Sequence, residues 1–277
     1  MYLRLLAIFA ILAVPAVLAA DDAKAKKVLY VTHEPGRWHK YTPQLMVFKE
    51  LAKKAGWDLT VSTGDHDGQI ASLRKPDFAK DYDVVVYNFC FAKSSDTDAA
   101  ANLMTQTRQN GVPAMLIHCA MHSWWPTYKD GKAGTIGADY KGDAKAKDTV
   151  VAAWRKKHGD KPFPAWGDFS GIASHRHGPK QPITVNKVVE HDATKRFPDS
   201  WTTSNTELYN NVYSVDGVEV LLAGVQGKAK ATVMWTAPQG KSQVLGLSLG
   251  HGPEWGKEEF RNLLVDGVEY LIANPTP

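Results

Sequence analysis

Cysteine is scarce: Cys90 and Cys119 are the only two in 277 residues. Two cysteines exclude a disulfide-framework scaffold and a cysteine-based zinc module. Charge of one sign is also lacking. The formal net charge is +4, and Lys and Arg are scattered rather than clustered. That excludes nucleic-acid binding by a basic face. No segment is apolar for the 18 or more residues that a membrane-spanning helix needs. Hydrophobic residues make up 44% and charged residues 22%, an ordinary globular balance that excludes disorder as the main feature. The length suits one large domain or two small ones. Tryptophan and histidine are plentiful, with nine and ten copies, and hint at a polar-aromatic pocket.

The N-terminus carries Arg4, then a 14-residue apolar run from Leu5 to Leu18 broken only by Pro15, then Ala19, Ala20 and Asp21. This pattern predicts a signal peptide over residues 1–20. Val17 and Ala19 suit cleavage after Ala19, with cleavage after Ala20 as the rival. The mature domain, 21–277, is then expected to be secreted or periplasmic, with no membrane association after cleavage.

Strands and helices alternate along the mature chain. Val28-Leu29-Tyr30-Val31 reads as a buried strand. Pro43 to Ala55 reads as an amphipathic helix, with apolar residues at three- and four-residue steps. Trp57 to Ser62 alternates as a strand should. Val84 to Tyr87 lies in a fully apolar strand, Thr97 to Gln109 is a second helix, and Val112 to His118 is another buried strand. Continuous apolar strands joined by helices predict an α/β fold, a flavodoxin-like three-layer sandwich with a mostly parallel central sheet. Residues 129–180 read as an insertion beside the active edge. Strands over Pro182–Val189, Val218–Ala223, Ala231–Thr236 and Gln243–Leu249 and a helix over Glu258–Ile272 complete the chain.

Ligands in such sheets sit beyond the carboxyl ends of the strands. Those ends carry His33, Cys90 and His118-Cys119, with His251 past a later strand. Cys119 invites a nucleophile-elbow reading, but Ile117 and Met121 crowd the positions that need small residues; a small packed residue is the alternative. His118 and His122 have the spacing of H-E-x-x-H, yet Cys119 stands where the general-base Glu belongs, so a zincin is excluded. Cys90 and Cys119 can pair if their Cα atoms lie within about 7 Å.

Two further polar clusters occupy loops: His175-Arg176-His177 and Glu207-Leu208-Tyr209-Asn210-Asn211. Imidazoles with a carboxylate suit acid–base chemistry near neutral pH. They equally suit a divalent metal such as zinc. The catalytic set expected is Glu207, His118 and His251; the alternative metal set is His118, His175 and His251. Substrate contacts are expected from His33, Trp124, Trp125, Tyr209 and Asn210. Trp124, Trp125, Tyr128, Trp166 and Trp255 flank these positions, where indoles either face a sugar ring or pack the core.

The segments Thr32-His33, Leu116-Ile117-His118-Cys119-Ala120, Gln181-Pro-Ile, Glu207-Leu-Tyr-Asn-Asn, Val233-Met-Trp-Thr, Leu247-Ser-Leu-Gly-His251 and Phe260-Arg-Asn-Leu-Leu follow one another in an order that resembles the ThuA-like (trehalose-utilisation) family. That family has the class I glutamine amidotransferase-like fold. The likeness covers roughly Lys27 to Ala273. Leu116 and Cys119 depart from the family's Gly and Ser. The resemblance implies a role in carbohydrate metabolism without an amidotransferase triad. The ligand expected is a carbohydrate or other small molecule, and the reaction hydrolysis or isomerisation of a glycoside or keto-sugar. A non-catalytic sugar-binding module resting on Trp124, Trp125 and Trp166 is the alternative.

Overall fold

The computed structural model describes residues 24–124, 144–174 and 176–277. The expected signal peptide (1–20), Trp125, Tyr128 and His175 lie outside the described residues. Among the described residues no helix is long and apolar enough to cross a membrane.

Five parallel strands form the half of the sheet that carries the site. β1 (Lys27–Val31), β2 (Asp58–Ser62), β3 (Val84–Tyr87), β4 (Ala114–Ile117) and β11 (Ser242–Leu247) lie in the order β2-β1-β3-β4-β11. This is the flavodoxin order, with β11 as the fifth strand. The apolar runs are continuous because both faces are covered. Val28, Tyr30, Val84, Val86, Met115 and Ile117 join one core with α1 (Tyr41–Ala55) and α6 (Glu258–Ala273). The alternate residues Leu29, Val31, Val85, Tyr87 and Leu116 join a second core with α2 (His66–Leu73) and α3 (Thr97–Arg108). Full burial of one large side chain such as Phe48 stabilises the fold by about 1.5–3 kcal/mol.

The sheet continues from β11 through four strands, each antiparallel to the one before. These are β10 (Ala229–Gln239), β9 (Glu219–Gln226), β6 (Thr184–Lys187) and β7 (Ser200–Thr202). β10 and β11 form a hairpin around Gly240-Lys241, in the predicted place. Gly246 of β11 has no room for a side chain, since a Cβ there would lie 2.1 Å from the Trp235 ring on the neighbouring strand.

Within the described part of the expected insertion, α4 (Ala144–His158) is tied to α3. His158 Nε2 lies 2.8 Å from Asp98, which also pairs with Lys157. α5 (Trp166–Ser170) buries Trp166 and Phe169 in the second core. A two-stranded ribbon, β5 (Ile172–Ala173) with β8 (Tyr213–Ser214), follows. α2 has no counterpart in the sequence reading. It presents only Gln69, Ile70 and Leu73 to the interior, too few to mark an apolar stripe.

Candidate active site

The carboxyl ends of β4 and β11 lie side by side and fix two imidazoles. His118 follows β4 directly and starts a 3-10 turn over His118–His122. Its φ of +49° is in the left-handed region, which costs a side-chain-bearing residue about 1–2 kcal/mol. Its Nδ1 lies 2.7 Å from the Ser248 carbonyl oxygen, and its Nε2 lies 3.1 Å from the Tyr209 hydroxyl. His251 sits on the loop after β11. Gly250 in that loop has φ +121°, and a Cβ added there would lie 3.4 Å from the His118 Cβ. The Gly250 carbonyl accepts hydrogen bonds from Trp255 Nε1 at 2.9 Å and Gln44 Nε2 at 3.2 Å. Trp255 is therefore a buried anchor for this loop, not a sugar platform.

Glu207 arrives from the other half of the molecule. Thr206 and Gln181 exchange two backbone hydrogen bonds of 3.1 Å, and Gly178 N donates to the Leu208 carbonyl at 2.8 Å. Gln226 Nε2 donates to Gln181, and the Thr206 hydroxyl donates to the buried Glu254. These ties turn two loops into a ribbon that delivers Glu207 over the strand ends. Glu207 is 5% exposed. One carboxylate oxygen lies 3.6 Å from His118 Nε2 and 3.3 Å from His251 Nδ1. The other lies 3.5 Å from His177 Nε2 and 3.7 Å from Lys180 Nζ. Burial pushes the carboxyl up, but the His118 and His251 imidazoles outweigh it and hold the group well below the usual carboxylate range. Glu207 is thus held in its ionised form.

His39, from the loop between β1 and α1, completes the cluster. It is 7% exposed, with ring centroids 4.8 Å from His118 and 5.0 Å from His251. Burial, with His118 and His251 adding to it, lowers its pKa to about 2, so the ring is neutral. One ring nitrogen from each of His39, His118 and His251 lies within 4.8 Å of the others. His39, His251, Glu207, His177 and Lys180 open into a cleft of about 540 Å³, lined also by Arg37, Trp38, Arg176 and Tyr209, while His118 lies buried behind them. That is a size suited to a small-molecule ligand.

The expected catalytic trio Glu207, His118 and His251 is brought together, and Tyr209 lies beside it. The other expected contacts are corrected. His33 is buried among Tyr41, Phe91 and His66 and does not line the cleft; burial, then His66, lowers its pKa to about 4. Trp124 is fully buried in the second core, where its indole N–H donates to the Asp96 carbonyl at 3.0 Å. Trp166 is equally buried and donates to the Ala120 carbonyl at 2.9 Å. Large apolar rings won core positions here, so neither indole offers a face to a sugar. Asn210 braces the chain instead of facing the cleft: its carbonyl oxygen accepts from Arg176 N at 3.0 Å and from Ser174 Oγ at 3.1 Å. Cys119 is no nucleophile, because it forms a disulfide with Cys90, with Cα atoms 5.1 Å apart. His39, Lys180 and Trp38 are site residues that the sequence reading missed, and His177, noted there as part of a polar loop cluster, joins them. His39 stands just before α1, at the far end of the loop that follows β1.

A model of the ThuA family, described as trehalose utilisation, matches residues 27–271. No curated protein matches the chain. A ThuA-like protein from Bacteroides uniformis has a similar structure, with a TM-score of 0.63, 20% identity and coverage of 93% of this chain and 98% of that one. A ThuA-like protein from Parabacteroides merdae gives a TM-score of 0.63 at 14% identity, covering 90% of each chain. A glutamine amidotransferase from Thermotoga maritima lies further off, at a TM-score of 0.49 and 11% identity over 89% of this chain and 98% of that one. At such identities the likeness is one of fold. The family match spans nearly the whole described chain, and the chain belongs to the ThuA family, associated with trehalose utilisation.

Proposed function

We propose that this protein is an exported enzyme of carbohydrate metabolism in which Glu207 is a general base acting on a keto-sugar. The observation that carries the reading is the buried, ionised Glu207 carboxylate, met by His118 and His251 on one oxygen and by His177 and Lys180 on the other. A glycosidase of the usual kind needs two carboxyl groups across the scissile bond. Among the described residues lining the cleft, Glu207 is the one carboxylate. A single base among cationic and neutral nitrogens suits removal of a proton from the carbon beside a sugar carbonyl. The proton passes to Glu207, and the negative charge that develops on the carbonyl oxygen is met by the surrounding N–H donors. The hydroxyl proton on that carbon passes to the former carbonyl oxygen, and return of the first proton from Glu207 to the former carbonyl carbon completes an isomerisation.

Export is supported by the apolar N-terminal run and by the Cys90–Cys119 disulfide, which suits an oxidising compartment. The test is a panel of keto derivatives of trehalose and other glycosides, incubated with enzyme in deuterated water. Deuterium should enter at the carbon beside the carbonyl with wild-type protein, and Glu207→Gln should slow this by about 10²–10⁴-fold. Equal exchange by the two proteins would exclude Glu207 as the base.

A further inference from the structure

The imidazoles of His39, His118 and His251 come from three different loops of the parallel rim, and their mutual approach is not explained by the proton chemistry of Glu207. Hydrophobic packing does not require three buried imidazoles in contact, and rings with unpartnered nitrogens carry a desolvation cost. His39 Nδ1 is buried without a hydrogen-bond partner, and His251 Nδ1 is buried with the Glu207 carboxylate, 3.3 Å away, as its one polar neighbour in this cluster. In contrast, His118 Nδ1 is fixed on the Ser248 carbonyl, which leaves Nε2 as the nitrogen with the available lone pair. A ring nitrogen tied to a carbonyl in this way is the usual support of a metal-binding histidine.

We propose that His39, His118 and His251 form a three-histidine site for a divalent transition-metal ion, with zinc as the best match to an all-imidazole donor set. The inference rests on the enzymatic reading of the same cleft and adds a cofactor to it. The geometry is close to what the ion demands. Zn–N bonds of about 2.1 Å in a tetrahedral arrangement place the nitrogens roughly 3.4 Å apart. The three nitrogens already lie within 4.8 Å of one another, so closure around an ion takes side-chain movements of about 1 Å. Tyr209, whose hydroxyl now faces His118 Nε2, would yield that nitrogen to the ion.

Three protein ligands leave the fourth position of a tetrahedral ion open. A sugar carbonyl oxygen held there would be polarised, which acidifies the neighbouring carbon that faces the Glu207 base. His175, expected earlier as the third ligand, lies outside the described residues, and His39 takes that place.

The test is metal stoichiometry on untagged protein, stripped with chelator and then dialysed against zinc or cobalt(II). Wild-type chain should retain one ion, develop the visible absorption of a low-symmetry cobalt(II) centre, and gain about 5 °C or more in Tm on loading. His39→Ala and His251→Ala, each checked for folding by circular dichroism, should weaken zinc affinity at least about 100-fold. Glu207→Gln should bind zinc within a few-fold of wild type while losing turnover. Wild-type protein that holds less than about a fifth of an ion per chain, or folded histidine variants that bind as wild type, would overturn the site. Loss of metal binding with activity intact overturns this inference alone. Full metal binding with an active Glu207→Gln variant overturns the general-base reading alone.

Discussion

The ring of His118 spans the tips of two neighbouring parallel strands, with its Nδ1 2.7 Å from the Ser248 carbonyl oxygen. A carbonyl only accepts, so Nδ1 carries the hydrogen and the opposite nitrogen is turned toward Tyr209 and Glu207. The backbone at His118 holds a left-handed conformation to make this reach. Strain of this kind persists at sites where the surrounding structure over-determines it.

His118→Asn tests that relationship. Asn occupies the left-handed region at lower cost than most residues but cannot reach Ser248 and the Tyr209 hydroxyl together. Turnover should drop at least about 100-fold while the unfolding free energy shifts by less than about 1 kcal/mol. Steady-state kinetics beside urea denaturation measures both.

Gly246→Ala should destabilise without touching the site. The added Cβ would press on the Trp235 ring at 2.1 Å, in the centre of the sheet where neither strand can move away. Overpacking of this kind costs about 1–3 kcal/mol, read as a fall in Tm.

The Cys90–Cys119 crosslink closes a loop with a sequence separation of 29. Loop-closure entropy gives about 3–4 kcal/mol of stabilisation for that length. Reduction, or joint replacement of both cysteines by Ala, should lower the denaturation midpoint accordingly. A midpoint unchanged by reductant, with free thiols confirmed by mass, would contradict the bond's structural role.

Asp98 links the docking of α4 to acidity. The Lys157 hydrogen bond is the main stabilising contact, with His158 adding to it, and together they hold the Asp98 carboxyl below its usual range. A carboxyl lowered in the folded state contributes stability that is fully present above its unfolded pKa of about 3.9. That contribution is lost as pH falls through the lower folded value. Because Asp98 is 35% exposed, the effect should stay at about 1 kcal/mol or less. Asp98→Asn should therefore flatten the acid limb of the Tm–pH curve slightly and leave Tm near pH 7 lower by no more than a few degrees.

The parallel half of the fold was legible because Val84 to Tyr87 and Ala114 to Ile117 are buried on both faces, which leaves unbroken apolar runs in the sequence. The closeness of Glu207, His118 and His251 was legible because His118 and His251 stand past the ends of apolar strands and Glu207 stands in a polar loop cluster. Trp124 and Trp125 were chosen by side-chain type alone, and an indole in a core and an indole in a cleft look the same in sequence. The Trp38 indole, 45% exposed at the cleft, carried no pattern to single it out. His39 was equally hidden, since its role depends on two partners 79 and 212 positions away. The four-strand antiparallel extension was only partly legible. β6 falls inside the expected strand Pro182–Val189, whereas β7 spans three residues, too short for a clear alternation.

The three imidazoles belong to loops of the parallel block, whereas Glu207, His177 and Lys180 ride on the ribbon beside the antiparallel strands. Chemistry and reach are therefore inherited from separate modules. Changes confined to the ribbon would reshape the entrance without moving the histidine-bearing rim, so the scaffold has a physical seam along which its acceptance of ligands could be altered.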